Sequence, residues 1–383
     1  MSKTKKTLYV LIIIIISGLS GIIANRYIFP QLAATKFFSK YAFFRKTTED
    51  VTIINKTEQI YVKEDTSVNK IASQATSSVV NIISSTNVLP TKKSQITIQP
   101  ELKNGTGLIV TSDGLIVTYS KAIIPENARY KIMTSDNNTY DATLLDIDSY
   151  SNLAFLKITA NNLPVASFGN SDDAVPGEKV VAIGNNSGAY SPFFATGVLS
   201  NFNQKYNLAD KSVASSEKLE GVFETDLNHQ ENCIGGPVID YAGKVIGLTG
   251  VTERDGEKFF FQIPANKIKL VLEKEIKKEL INNPTLGVYY LSITKSYALM
   301  NDLPIQSGAL IYSSSSQQGL AIIANSPAAN SGLKINDIII AVSGEKIDDT
   351  KTLPDLLYKH RKGEAIELTI LRDLQEMQIK VQL

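Results

Sequence analysis

Between Ser78 and Ile263 the chain is cut into short apolar segments with turn residues between them, and no segment of helical period interrupts the series. Ser78–Ile83, Gly107–Thr111, Leu115–Thr118, Tyr130–Thr134, Thr139–Asp146 and Leu153–Ile158 come first. Lys179–Gly184, Ala195–Ser200, Val222–Thr225, Pro237–Asp240, Val245–Val251 and Phe259–Ile263 follow. Ser112-Asp113-Gly114 and Asp136-Asn137-Asn138 are turn signals. A backbone punctuated this often predicts an all-β barrel or sandwich. The tightest break is Gly235-Gly236-Pro237, between a polar stretch and the apolar Val238-Ile239. Adjacent glycines let the backbone approach a neighbour closely, and successive N–H groups at such a turn can form an anion-binding nest.

The segment ahead of this series has a different character. Thr7 to Ala24 is almost wholly apolar, with isoleucine at every position from Ile12 to Ile16. That length predicts a retained transmembrane helix over 7–28 rather than a cleaved signal peptide. Lys3, Lys5 and Lys6 lie before it, and Arg26, Lys36, Lys40, Arg45 and Lys46 after it. We expect residues 1–6 as a cytoplasmic tail and the main body outside the cell membrane. Residues 29–66 read as a juxtamembrane linker. Its aromatic and basic part, Gln31–Thr48, suits either an interfacial segment or a plain connector, and a short strand is expected at Gln59–Val62.

After the strand series, Ala265–Ile281 has helical spacing in Ile268, Val271, Leu272, Ile276 and Leu280. Asn282-Asn283-Pro284 marks a boundary, and 282–383 reads as a compact α+β module. Its expected strands are Gly287–Tyr290, Gly308–Tyr312, Leu320–Ile323, Asp337–Val342, Ala365–Arg372 and Met377–Leu383. Its helices are Pro327–Ser331 and Thr352–His360. A net charge of +1 gives no bias toward nucleic acid. Cys233 is the one cysteine, so no intrachain disulfide exists, and His229 and His360 are the two histidines. No Cys/His cluster has metal-ligand spacing, and no metal or cofactor is expected.

Several motifs, taken in order, resemble the HtrA/Deg family of trypsin-like serine proteases with a C-terminal PDZ domain. They are Gly105-Thr106-Gly107-Leu108-Ile109-Val110, Asp113-Gly114-Leu115-Ile116-Val117-Thr118, Asn152-Leu153-Ala154-Phe155-Leu156-Lys157-Ile158, Ala182-Ile183-Gly184-Asn185, Gly235-Gly236-Pro237 and Gln262-Ile263-Pro264-Ala265-Asn266. The resemblance implies a mainly β chain. A trypsin-like double β-barrel would occupy 67–281 and an α+β PDZ domain 282–383, behind the N-terminal transmembrane helix. It also implies a homo-trimer, or a mixed trimer with an active relative.

Within that resemblance the catalytic places are changed. The family's histidine falls on Lys121, its aspartate on Asn152 and its serine on Ile234, while Asn232 and Gly235 fall in its oxyanion loop. A Ser-His-Asp triad needs a nucleophile, a base to take its proton and a carboxylate to orient that base. Losing nucleophile or base alone costs about 10⁶-fold in the chemical step of a comparable enzyme. Losing the carboxylate costs about 10⁴-fold. Ile234 is suited to fill the space of the missing imidazole, and Lys121 is expected to lean toward solvent or toward Asp148 or Glu231.

The resemblance places a carboxylate-binding loop at Thr285-Leu286-Gly287-Val288. Leu353, Leu356 and Leu357 are either walls of the peptide groove or core. The expected function is a pseudoprotease that binds peptide C-termini or unfolded segments as scaffold, sensor or regulator in envelope protein quality control. Two alternatives stand beside it. One is a hydrolase using Cys233 as displaced nucleophile with His229 or Lys121. The other is a purely structural envelope protein with a closed groove. Ser120 beside Lys121 is a nominal pair whose side chains are expected to point apart, and His360 is expected as a solvated helix-end residue.

Overall fold

The computed structural model describes residues 3–28, 71, 75–86, 101–185, 190–209, 213–254, 256–313 and 318–383. It divides into two compact units, Met1–Lys70 and Ile71–Leu383. In the first, α1 (Lys3–Ile23) is a continuous helix of 21 residues, and a π-helical turn, Ala24–Ile28, continues it. Ile12–Ile16 are exposed on α1. Its uncharged part starts only at Thr7 and is about 26 Å long at about 1.5 Å per residue. A hydrocarbon core is about 30 Å thick. Among the described residues no helix is long and apolar enough to cross a membrane, so the expected anchor over 7–28 rests on sequence. The expected linker 29–66 and its strand at Gln59–Val62 lie outside the described residues.

The second unit begins with two closed barrels. The first holds β1 (Val79–Thr86), β2 (Leu102–Ile109), β3 (Leu115–Tyr119), β4 (Ala128–Met133), β5 (Thr139–Ile147) and β6 (Leu153–Ile158), closed in the order β1-β2-β3-β6-β5-β4. β7 (Lys179–Asn185), β8 (Pro192–Asn207), the two-residue β9 (Ala214–Ser215), β10 (Glu220–Thr225), β11 (Pro237–Asp240), β12 (Val245–Arg254) and β13 (Glu257–Pro264) follow. All but β9 close the second barrel in the order β10-β13-β12-β11-β7-β8.

The near-continuous apolar runs have a physical cause. Side chains alternate faces along a strand, and here both faces are dry. In β3, Ile116 points into the first barrel's core, while Leu115, Val117 and Tyr119 join a cluster between the barrels. In β6, Ala154 and Leu156 point inward and Leu153 and Phe155 outward to that cluster. In β7, Val180 and Ala182 fill the second barrel, and Val181 and Ile183 meet the first. The interbarrel cluster is therefore built by residues one step out of phase with both barrel cores.

α2 (Ala265–Ile276) packs on this assembly through Ile268 and Val271. It ends earlier than the expected Ile281, because Lys278 takes a left-handed backbone with φ 56°. The C-terminal domain adds β14 (Tyr289–Ile293), α3 (Lys295–Met300), β15 (Gly308–Ile311), α4 (Gln318–Ala321), α5 (Pro327–Ser331), β16 (Ile338–Val342), β17 (Glu345–Lys346), α6 (Leu353–Tyr358), β18 (Ala365–Arg372) and β19 (Gln375–Gln382). The expected strand Leu320–Ile323 is instead α4 followed by one bridge, Val288 to Ile322. α3 was not expected; Thr294 caps it by accepting the Tyr297 N–H. The sheet runs β19-β18-β16-β15-β14-β9, with β17 on β16. Its last member, β9, belongs to the barrel region of the chain.

Candidate functional site

Three backbone segments converge at the rim between the barrels. Ser120–Ala122 is a 3₁₀ turn that follows β3 and carries Lys121 on its exposed side. The Ser120 N–H donates to the Asn152 carbonyl (2.9 Å). Asn152 is half-buried with φ 59°, a conformation asparagine tolerates better than most residues. The third segment is the 3₁₀ turn Gln230–Cys233 with Ile234 after it. The Ile234 side chain is half-buried and packs against the interbarrel cluster, and its carbonyl accepts the Thr106 N–H (3.3 Å).

Gly235 locks these parts together. Its φ is +79°, and a Cβ there would lie 2.2 Å from Thr118 Oγ1, 2.4 Å from the Thr106 carbonyl oxygen and 3.0 Å from Ala122 Cβ. The loop bearing Ile234 is thus pressed onto the turn bearing Lys121. Asp148, one of the acids expected near Lys121, is buried and committed elsewhere. It accepts from Ser151 (2.6 Å), Asn283 (2.8 Å) and Tyr358 (2.9 Å).

An oxyanion hole needs N–H groups aimed at the place where charge develops. Two N–H groups of this loop are already held by protein carbonyls. Asn232 donates to His229 (3.1 Å) and Gly235 to Thr249 (2.8 Å). Gln230 pins the turn by donating to the Leu227 carbonyl (3.1 Å) and accepting from the Gln262 amide (3.0 Å).

Cys233 and His229 do not meet as a catalytic pair. Cys233 is fully buried in the second barrel's core with Ala182, Leu199, Phe223, Val238 and Ile246. Burial, and then the nearby Glu231 charge, push its thiol up to about 12. His229 stands in solvent with its side chain 70% exposed, Nδ1 3.5 Å from Glu231. His360, expected to be solvated, is instead half-buried and bound to Glu364 (2.7 Å).

The C-terminal groove is arranged otherwise. Leu286, Gly287 and Val288 are buried and Thr285 is exposed. The Leu286 and Gly287 N–H groups both donate to Glu217 Oε1, at 3.0 and 2.8 Å. β9 pairs antiparallel with β14, Ser215 opposite Tyr289 and Ala214 opposite Tyr290. Leu353, Leu356 and Leu357 are all buried in this domain's core. Leu357 also lines a cavity of about 290 Å³ beside Glu217 and Thr285.

A buried polar network joins the two domains. Lys267 and Asp355 form an ion pair of 2.6 Å, both side chains nearly buried. Asp355 also accepts from Thr352 Oγ1 (2.6 Å) and from the Tyr150 hydroxyl. Glu220 accepts from the Tyr290 and Ser292 hydroxyls, and burial pushes its carboxyl up to about 7. Tyr150 stacks on Tyr358 with centroids 4.1 Å apart. Lys274 lies over the other partner of that stack, 4.1 Å from the Tyr358 ring, and burial pushes it down to about 8. No local pattern in the sequence signals this network, because its members come together only across the domain boundary.

Two closed β-barrels packed on a shared cluster, followed by a domain whose glycine loop presents N–H groups to a carboxylate, define a trypsin-like peptidase fold joined to a PDZ-like module. The family models agree: a trypsin-like peptidase domain matches residues 105–248, and a PDZ domain matches 285–383. The chain combines a trypsin-like peptidase domain with a PDZ domain, as its HtrA homologues do. It is 31% identical to the serine protease Do-like HtrA of Bacillus subtilis (strain 168), over 73% of this chain and 61% of that one. It is 30% identical to serine protease HTRA1 of Xenopus tropicalis, over 73% and 59%. The chain thus spans about three fifths of the length of these relatives. The HtrA-type protease AlgW solved with a tripeptide shares the fold, with a TM-score of 0.63 and 22% identity, over 82% of this chain and 95% of that one. The same protease with a decapeptide gives a TM-score of 0.58 at 20% identity, over 82% and 96%.

Proposed function

We propose that this protein is a membrane-anchored, extracytoplasmic pseudoprotease. It binds exposed peptide C-termini through its PDZ domain and serves as scaffold, sensor or regulator in envelope protein quality control. The observation that carries this reading is the convergence of the Lys121, Asn152 and Ile234 segments at the rim between the barrels. In the motif register of the relatives, a hydrocarbon, an amide and an exposed ammonium take the positions that attack, orientation and proton transfer would need. Burial of Cys233 removes the support for a displaced nucleophile. Anchoring is supported by the apolar Thr7–Ile23 run. Trimerisation, alone or with an active relative, is proposed from the family.

A second reading is favoured by one observation, the β9–β14 pairing, which covers the groove edge. On that reading the chain is structural and binds no peptide. An array of C-terminal peptides probed with the full chain and with its Glu217→Gln variant separates the two. Binding by either chain that needs the free carboxylate supports the sensor. No binding by either well-folded chain supports the structural reading.

A further inference from the structure

We propose that Ala214–Glu217, a segment of the second barrel's connection, is a built-in ligand of the PDZ groove, and that an outside C-terminus enters only by displacing it. The inference rests on the peptide-binding reading above and names how that site is regulated.

An extended peptide binds such a domain by adding a strand to the sheet edge while its carboxylate sits on loop N–H groups. Both halves of that interaction are made here by the chain itself. Ala214 and Ser215 pair antiparallel with Tyr290 and Tyr289. The ladder continues as Ser216 N–H to the Val288 carbonyl (3.1 Å) and Val288 N–H to Ser216 Oγ (3.1 Å). The segment then ends on a carboxylate. Glu217 Oε1 accepts from Leu286 N–H, Gly287 N–H and Ser216 Oγ (2.7 Å). The direction is that of a C-terminal ligand, with the chain running toward the loop. Ala214 packs against the PDZ core as a ligand side chain does. Close contact at the loop depends on Gly287, whose φ is +83° and where a Cβ would lie 2.3 Å from Ser326 Cβ.

The mimicry is incomplete, and the gap defines what can compete. A side-chain carboxylate reaches the N–H groups from a backbone that continues past the loop. It leaves beside it the cavity of about 290 Å³ lined by Leu280, Ile281 and Leu357 together with the polar Ser149, Asn283 and Thr285. A true terminus places its main-chain carboxylate on the same donors and has its own last side chain to fill that cavity. The favoured displacer is therefore a chain with a free carboxylate whose last side chain is large enough to enter that cavity. It must outcompete a tethered ligand whose effective concentration is on the order of millimolar, so the wild-type chain binds weakly.

The test compares the full wild-type chain with Glu217→Gln and Glu217→Arg. The first readout is amide exchange at Leu286 and Gly287. The second is binding of a fluorescein-labelled Val-Ala-Ser-Ser-Leu peptide with a free carboxylate, against its C-terminal amide. Expected are exchange faster by about tenfold or more at those two amides, unchanged exchange in β18 and β19, and peptide binding tighter by about tenfold or more. Glu217→Arg is expected to exceed Glu217→Gln, since it sets a cation against N–H donors. Unchanged exchange in both variants, with equal peptide affinity in all three chains, overturns the latch. Faster exchange with no binding by any chain above the amide control keeps the latch and overturns the peptide-binding function.

Discussion

Cys233 and Ile234 are neighbours in sequence and belong to different cores. The thiol lies inside the second barrel, and the isoleucine packs against the cluster between the barrels. A nucleophile displaced by one residue is therefore turned into the second barrel's core. With its thiol pushed up to about 12 by burial, Cys233 stays protonated at neutral pH. Iodoacetamide is expected to leave the native chain unmodified and to label it fully in denaturant. Cys233→Ser is expected to cost about 1–3 kcal/mol in urea unfolding, because it buries a hydroxyl with no built partner. Rapid native labelling would contradict this placement.

The ion pair between Lys267 and Asp355 crosses the domain boundary with both side chains nearly buried. Removing one partner leaves the other charge uncompensated. Lys267→Ala is expected to destabilise the chain by about 3–5 kcal/mol, while the double replacement Lys267→Ala with Asp355→Asn, which keeps an acceptor for the Tyr150 and Thr352 hydroxyls, costs less. Thermal unfolding with a probe in each domain checks this. Equal losses for the single and double variants would show that the pair does not link the domains.

Much of this architecture can be read from the sequence. β6 and β11 have the expected bounds, because each is a dry run closed by turn residues on both sides. Leu320–Ile323 misleads, since a short apolar run does not distinguish a strand from a helical turn. β9 leaves no signal at all. Ala214-Ser215 is a strand only because β14 offers an open edge. The backbone segments carrying Lys121, Asn152 and Ile234 lie near one another, Ser120 N–H on the Asn152 carbonyl and Gly235 against Ala122, whereas Glu217, Glu220 and Asp355 acquire their contacts only from tertiary placement.

Glu220 predicts a pH dependence of domain docking. It faces the Tyr290 and Ser292 hydroxyls, with the Lys267 and Asp355 charges nearby. Burial raises its folded value from the ordinary 4.5 to about 7, so the folded chain holds a proton that the unfolded chain releases. Its contribution to stability is complete below the ordinary value and is lost as pH rises through about 7. Glu220→Gln is expected to flatten stability between pH 5 and 8, measured by urea midpoints at about half-unit steps. A slope unchanged by that substitution would remove Glu220 as its source.

Gly235 predicts a steric limit at the rim. A Cβ would enter within 2.2 Å of Thr118 Oγ1 in a left-handed conformation. Gly235→Ala is expected to destabilise by about 1–3 kcal/mol or more, from backbone strain and displacement of the Ala122 turn. The urea midpoint reports it, and a neutral substitution would mean that the loop is not seated as described.

The central claim is that a hydrocarbon occupies the seat of the attacking group. Incubating the purified full chain with fluorescently labelled casein tests it most directly. The expected result is no release of fluorescence above the buffer control. Cleavage that persists through purification and disappears when Cys233 or Lys121 is replaced would contradict the account.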